Sequence, residues 1–177
     1  MGVPGFFLWL WKKYKSKKFV FSKDDLKGNW YDSKKPEINN IDEMLIDANC
    51  LLHPQCFSVL GENPNFNSKY ELETKMLKKI MEYLKHIIDF VDPKERVYIA
   101  IDGVAPIAKI KQQRLRRYKS AKDKYFFEKI KKKHKKEITK FWTNSAITPG
   151  TEFMERITNC IKKHISEGYF DGRKIVI

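Results

Sequence analysis

The chain has 177 residues, enough for one domain, and its 42% hydrophobic and 14% aromatic content excludes a disordered chain. Its 36 Lys and Arg against 22 Asp and Glu give a net charge of +14; this points to nucleic acid, then to an anionic membrane surface, with biased genome composition as the bland alternative. Three cysteines without a CxxC pair exclude a disulfide framework or a zinc ribbon and fit a reducing, intracellular setting.

Residues 4–14 read as an amphipathic helix. Pro4 suits a first helical turn, and Phe6, Phe7, Leu10, Trp11 and Tyr14 recur at helical spacing. The apolar opening is too short for a signal segment or a membrane span, and Lys12 and Lys13 end it. Gly2 follows Met1, but Phe6 stands where a myristoylation signal needs Ser or Thr. Residues 15–40, polar and carrying Gly28 and Pro36, read as loop.

Met44, Leu45 and Ile46 form a short apolar run ending in Asp47, which predicts a buried strand. Residues 54–68 hold Pro54, Gly61 and Pro64 among polar turn formers and are expected to be a loop. Leu72, Met76, Ile80, Leu84, Ile87, Ile88 and Val91 predict a long amphipathic helix over 69–91, stopped by Pro93. Val97 to Ile101 is a second apolar, β-rich run, followed by Asp102 and Gly103. A strand, a long crossover and a second strand make a parallel pair, and open parallel sheets bind ligands beyond their carboxyl ends. Asp47 and Asp102 stand at those two ends. Two carboxylates there can begin a site for a hard divalent cation, although aspartate also closes strands as a turn or cap residue. His53 follows closely, as a stacking or phosphate-contacting group or as a structural histidine.

The next stretch, 107–140, has helical character and holds 15 Lys and Arg against 3 Asp and Glu, so nearly all of the net charge lies there. That concentration argues against uniform composition bias. Lys109, Gln113, Arg116 and Arg117 are spaced by three or four residues and share a helix face. Arginine forks beside an ammonium and an amide suit a terminal phosphate; the alternative is a solvated charged face. The later run from Lys129 to Lys136 carries charge all round and fits a projecting helix, a nucleic-acid track or a nuclear localisation signal. Phe153, Ile157, Ile161 and Ile165 predict a helix over Thr151–Ser166, and Lys174 to Ile177 begins a third strand.

Four blocks carry a family resemblance. They are Met1-Gly2-Val3-Pro4 with Phe6-Phe7; Leu45 to His53; Ile101 to Pro106 with Ala108-Lys109, Gln112-Gln113-Arg114 and Arg116-Arg117; and Ile147 to Met154. In this order, along the whole chain, they resemble the N-terminal region of the Xrn family of 5′→3′ exoribonucleases. The resemblance implies an α/β fold, a mainly parallel sheet flanked by helices as in flap endonucleases and other PIN-like nucleases, with a long projecting basic helix. Residues 1–177 would be the N-terminal portion of one nuclease domain, with 107–140 as a basic helical extension.

The resemblance further implies that Asp47 and Asp102 are catalytic carboxylates holding Mg2+ or Mn2+. Lys109, Gln113, Arg116 and Arg117 would bind the 5′-monophosphate of a single-stranded RNA, and His53 would stack on the first nucleotide. The Gly2 end would lie close to this site. Thr148 to Met154 would be architectural, with Thr151 capping the helix after it. Gly5 and Ile107 depart from the family pattern. The remaining metal carboxylates of the family are expected beyond Ile177, supplied by a C-terminal segment or a second chain. The reading is then a metal-dependent 5′→3′ exoribonuclease, with a non-catalytic binder of 5′-phosphorylated RNA or half of a split nuclease as the alternative. A DNA flap endonuclease and a nonspecific basic protein are the more distant readings. Membrane association is not expected, and cytoplasm and nucleus stay open.

Overall fold

The computed structural model describes residues 5–13, 41–62, 66–134 and 142–177. The chain divides into two units, Met1–Glu37 and Ile38–Ile177. In the first, helix α1 spans Phe6–Lys13. Gly5 precedes it with a φ of +74°, a conformation that costs glycine little. The Phe6 and Trp9 rings stack at 5.8 Å and the Lys13 ammonium lies over Trp9. The expected loop over 15–40 and the position of Gly2 fall outside the described residues.

The second unit runs β1 (Glu43–Asp47), α2 (Ala48–Glu62), α3 (Lys69–Val91), β2 (Arg96–Ala100), α4 (Ile107–Lys133), a 3-10 turn (Asn144–Ala146), α5 (Glu152–Ser166) and β3 (Ile175–Val176). The three strands form one parallel sheet in the order β1-β2-β3, as the strand-crossover-strand pattern requires. Burial alternates along β1 and β2. Ile46, Val97 and Ile99 turn into the core, whereas Leu45 and Tyr98 are exposed on the other face. Arg96 pairs with Glu43 across the strand register.

Residues 54–62 correct the sequence reading: they are the body of α2, not a loop. Pro54 lacks the N–H that would donate to the carbonyl one turn back, so it weakens the helix. The burial of Ala48, Leu51, Leu52, Cys56 and Val59 on one side of α2 offsets that loss. Burial also raises the Cys56 thiol to about 12, so it stays neutral, and all three cysteines are free.

Helix α3 matches the predicted 69–91. Ser68 caps it by accepting from the Glu71 N–H, and Asp92 ends it in the left-handed conformation. Arg173 donates to Asp89 and Asp92 at that end, which ties the approach to β3 against the end of α3. Helix α5 is capped by the Thr151 hydroxyl, which accepts from the Met154 N–H at 3.4 Å. Its Phe153, Ile157 and Ile161 complete the core with Leu72, Met76, Ile80 and Leu84 of α3.

One charged group lies inside this core. Glu73 of α3 is 4% exposed and receives Arg156 of α5, whose guanidinium also covers the Tyr70 ring at 4.6 Å. Removing one partner of such a pair strands the other. Glu73→Ala is therefore expected to lower unfolding free energy by ~2–3 kcal/mol in urea titration, the partial exposure of Arg156 moderating the loss. The exposed neighbour Glu71→Ala should cost less than ~0.5 kcal/mol.

Candidate functional site

The parallel pairing of β1 and β2 sets Asp47 opposite Ala100, two residues before Asp102. Both carboxylates therefore emerge at the carboxyl edge of the sheet, on neighbouring strands, and both are exposed. Asp47 also organises the start of α2. Its Oδ1 accepts from the Asn49 backbone N–H at 3.2 Å, and its Oδ2 accepts from the Cys50 thiol at 3.3 Å. That hydrogen bond to Asp47, then the charge of Asp47, and last the charge of Asp102 raise the Cys50 thiol above its ordinary value.

Asp102 borders a recess of 330 Å³ with Ile101, the Pro149-Gly150 turn, Thr151 and Glu155. Gly150 supports that turn with a φ of +82°. The Thr151 hydroxyl donates to the carbonyls of Ala146 and Thr148 as well as capping α5, so the turn is fastened beside Asp102. The expected turn at Pro149-Gly150 and the expected Thr151 cap are both present.

Helix α4 leaves directly from the Asp102 end. Lys109, Gln113, Arg116 and Arg117 lie on its first three turns, within an arc of about 100°. The two arginines and Lys109 are exposed and Gln113 is half-buried; no residue along α4 is buried. The helix ends at Lys133, and 135–140 of the expected basic extension lie outside the described residues. His53 sits half-buried on α2, six residues beyond Asp47, its ring stacked on Phe57 at 6.5 Å and an interplanar angle of 17°.

The donor set suits a hard divalent ion. Asp47 and Asp102 are accessible oxygen donors, and each Asp47 oxygen keeps acceptor capacity beyond its one hydrogen bond. Among the described residues, no group of three or more His, Cys, Asp or Glu side chains converges. An ion held by this pair would need water or further ligands to fill its coordination. Sequence reasoning passed over Cys50, three residues from Asp47, and Phe57, one helical turn from His53. Helical spacing would have found Phe57, had 54–62 been read as helix.

The described residues thus form an α/β domain with two exposed carboxylates at the carboxyl edge of a parallel sheet, followed in sequence by a helix with a basic face. The chain belongs to the XRN 5′-3′ exonuclease N-terminus family, whose model matches residues 1–174. It is 33% identical to the 5′-3′ exoribonuclease 2 of Gallus gallus, over 94% of this chain and 19% of that relative. It is 32% identical to the 5′-3′ exoribonuclease 2 homolog of Caenorhabditis elegans over the same shares, and 34% to the 5′-3′ exoribonuclease 2 of Candida albicans over 92% and 18%. The chain thus spans about a fifth of the length of the curated relatives it matches. No helix among the described residues is long and apolar enough to cross a membrane.

The two aspartates should separate in a stability measurement. Asp47→Ala, which removes the bond that starts α2, is expected to cost ~1 kcal/mol of unfolding free energy. Asp102→Ala should change it by less than ~0.5 kcal/mol. Equal losses would mean that Asp102 serves the fold.

Proposed function

We propose that this chain forms the 5′-end-binding part of a metal-dependent 5′→3′ exoribonuclease acting on 5′-monophosphorylated single-stranded RNA. The observation that supports this reading most is the run from Asp102 into α4, where the carboxylate edge passes directly to the Lys109-Gln113-Arg116-Arg117 face. A phosphate held on that face would leave the next linkage of the strand beside Asp47 and Asp102. Arg116 and Arg117 offer planar forks for phosphate oxygens, Lys109 adds an ammonium, and the Gln113 amide supplies a neutral donor. His53 would stack on the first base and hold the strand in line.

Asp47 and Asp102 would hold Mg2+ or Mn2+. When bound, such an ion supplies charge to activate a water and to stabilise the departing oxygen of a phosphodiester. The Asn49 N–H and the Cys50 thiol fix the Asp47 carboxylate, so it need not reorganise when the substrate arrives. The 5′ pocket would set end specificity by fitting one phosphate and rejecting a triphosphate or a cap. The three free cysteines fit an intracellular setting, in the cytoplasm or the nucleus.

One observation favours a second reading for these residues alone. Asp47 and Asp102 stand at neighbouring strand ends, and among the described residues no group of three or more His, Cys, Asp or Glu side chains gathers, which suits a binder of 5′-phosphorylated RNA whose chemistry needs carboxylates from a second chain or a further segment.

The test is binding of the purified chain, with Mg2+, to short RNAs carrying a 5′-monophosphate, 5′-hydroxyl or 5′-triphosphate, with released mononucleotides followed in the same samples. The monophosphate form should bind tightest. Arg116→Ala or Arg117→Ala should weaken it by ~10–100-fold, as for loss of a charged hydrogen bond. Nucleotide release that stops in Asp47→Ala would establish catalysis by these residues. Binding that ignores the 5′ group and collapses with salt would overturn the end-recognition reading.

A further inference from the structure

We propose that a recess between the end of α2 and the middle of α4 is a nucleobase subsite for an internal nucleotide, several steps downstream of the RNA end. The proposal rests on the RNA-end reading above and extends it to a second point on the strand. The recess encloses 260 Å³, of the order of one nucleoside. Phe57 and Leu60 of α2, Lys124, Phe127 and Lys131 of α4, and Trp142 form its walls.

Phe57 is 50% exposed and Phe127 is 63% exposed, although both are large apolar rings at the mouth of one cavity. Trp142 is 6% exposed, and its buried indole N–H has no hydrogen-bond partner among the described residues. An orphan donor of this kind costs stability unless something else satisfies it. Aromatic platforms beside lysines are the arrangement that binds single-stranded nucleic acid through stacking and phosphate contact. Glu128 also borders the recess, but Lys124 pairs with it at 3.7 Å, which leaves Lys131, without an acidic partner among the described residues, to meet a phosphate.

Continuity with the 5′ site selects RNA over another occupant. On α2, His53 and Phe57 stack nearly parallel, so the expected first-base platform and the wall of the recess form one ladder, which Trp142 extends edge-on at 6.2 Å from Phe57. On α4, Lys124, Phe127 and Lys131 lie within the same arc of about 100° as Lys109, Gln113, Arg116 and Arg117. Arg116 and Phe127 are eleven residues apart on that face, about 16 Å along the axis. A stacked strand rising ~3.4 Å per nucleotide covers that distance in about five nucleotides. Because the strand first passes Asp47 and Asp102 before it turns along α4, the base in the recess would be the fifth from the 5′ end or a later one.

The test uses the full chain and 3′-labelled oligoadenylates of about two to twelve nucleotides, with a 5′-monophosphate or 5′-hydroxyl, read by fluorescence anisotropy. Affinity should rise by ~10-fold in one step at a length of five nucleotides or more, the worth of one stacked base. Phe57→Ala and Phe127→Ala should each remove that gain while leaving dinucleotide affinity and the preference for monophosphate unchanged, and Phe127→Trp should retain it. A wild-type curve without the gain, or alanine variants that keep it, would overturn the subsite. If Phe57→Ala weakens binding at every length through damage to α2, Phe127→Ala, on a helix with no buried residue, decides the matter. A chain that prefers the monophosphate but shows no length gain refutes the subsite alone. A chain without end preference at any length refutes the reading beneath it.

Discussion

The parallel register of β1 against β2 is the constraint on which the rest depends. Pairing Ile46 with Ile99 and Asp47 with Ala100 sends both strands out of the same edge. The chain must then cross back over the sheet between them, and α2 and α3 occupy that crossover. A slip of one residue would turn Ile46, Val97 and Ile99 out of the core, so burial fixes the register and the register fixes the carboxylates. Chemistry at the strand ends thus inherits its geometry from apolar packing one layer below.

Around this edge the structure divides its work between rigid and exposed parts. The α3–α5 layer is held by a continuous apolar core and by the buried Glu73–Arg156 pair. The Thr151 cap and its bonds to the carbonyls before it fix the turn beside Asp102. By contrast, no residue of α4 is fully buried, and its charge is carried in water. Helical propensity and the i,i+4 ion pair Lys124–Glu128 support it locally, within the helix. A helix so built gains from a polyanion laid along it, because the like charges on its face then find partners. Binding of a polyanion there would stabilise the helix.

Much of this was legible in the sequence because the signals were local. Apolar runs ending in aspartate gave β1 and β2, four-residue periodicity gave α3 and α5, and the concentration of lysine and arginine gave α4. The carboxylate edge followed from strand order alone. What stayed hidden was non-local or contradicted by local chemistry. Pro54 and Gly61 spoke for a loop, and burial of Leu51, Leu52, Cys56 and Val59 overrode them. With α2 misread, Phe57 could not be seen one turn from His53. Glu73 looks like any surface glutamate of an amphipathic helix, and its partner Arg156 lies 83 residues away. The hydrogen bond from Cys50 to Asp47 depends on how tightly α2 starts, which composition does not specify.

The central claim is that Asp47 and Asp102 together hold a divalent cation, and Mn2+ titration followed by amide NMR line broadening addresses it without requiring turnover. At substoichiometric Mn2+, the amides of Ala48–Cys50 and of Asp102–Val104 should broaden first and together, and this should disappear in both Asp47→Asn and Asp102→Asn. Broadening that begins instead at other surface carboxylates, such as Glu82 or Asp171, or that survives both substitutions, would contradict the account.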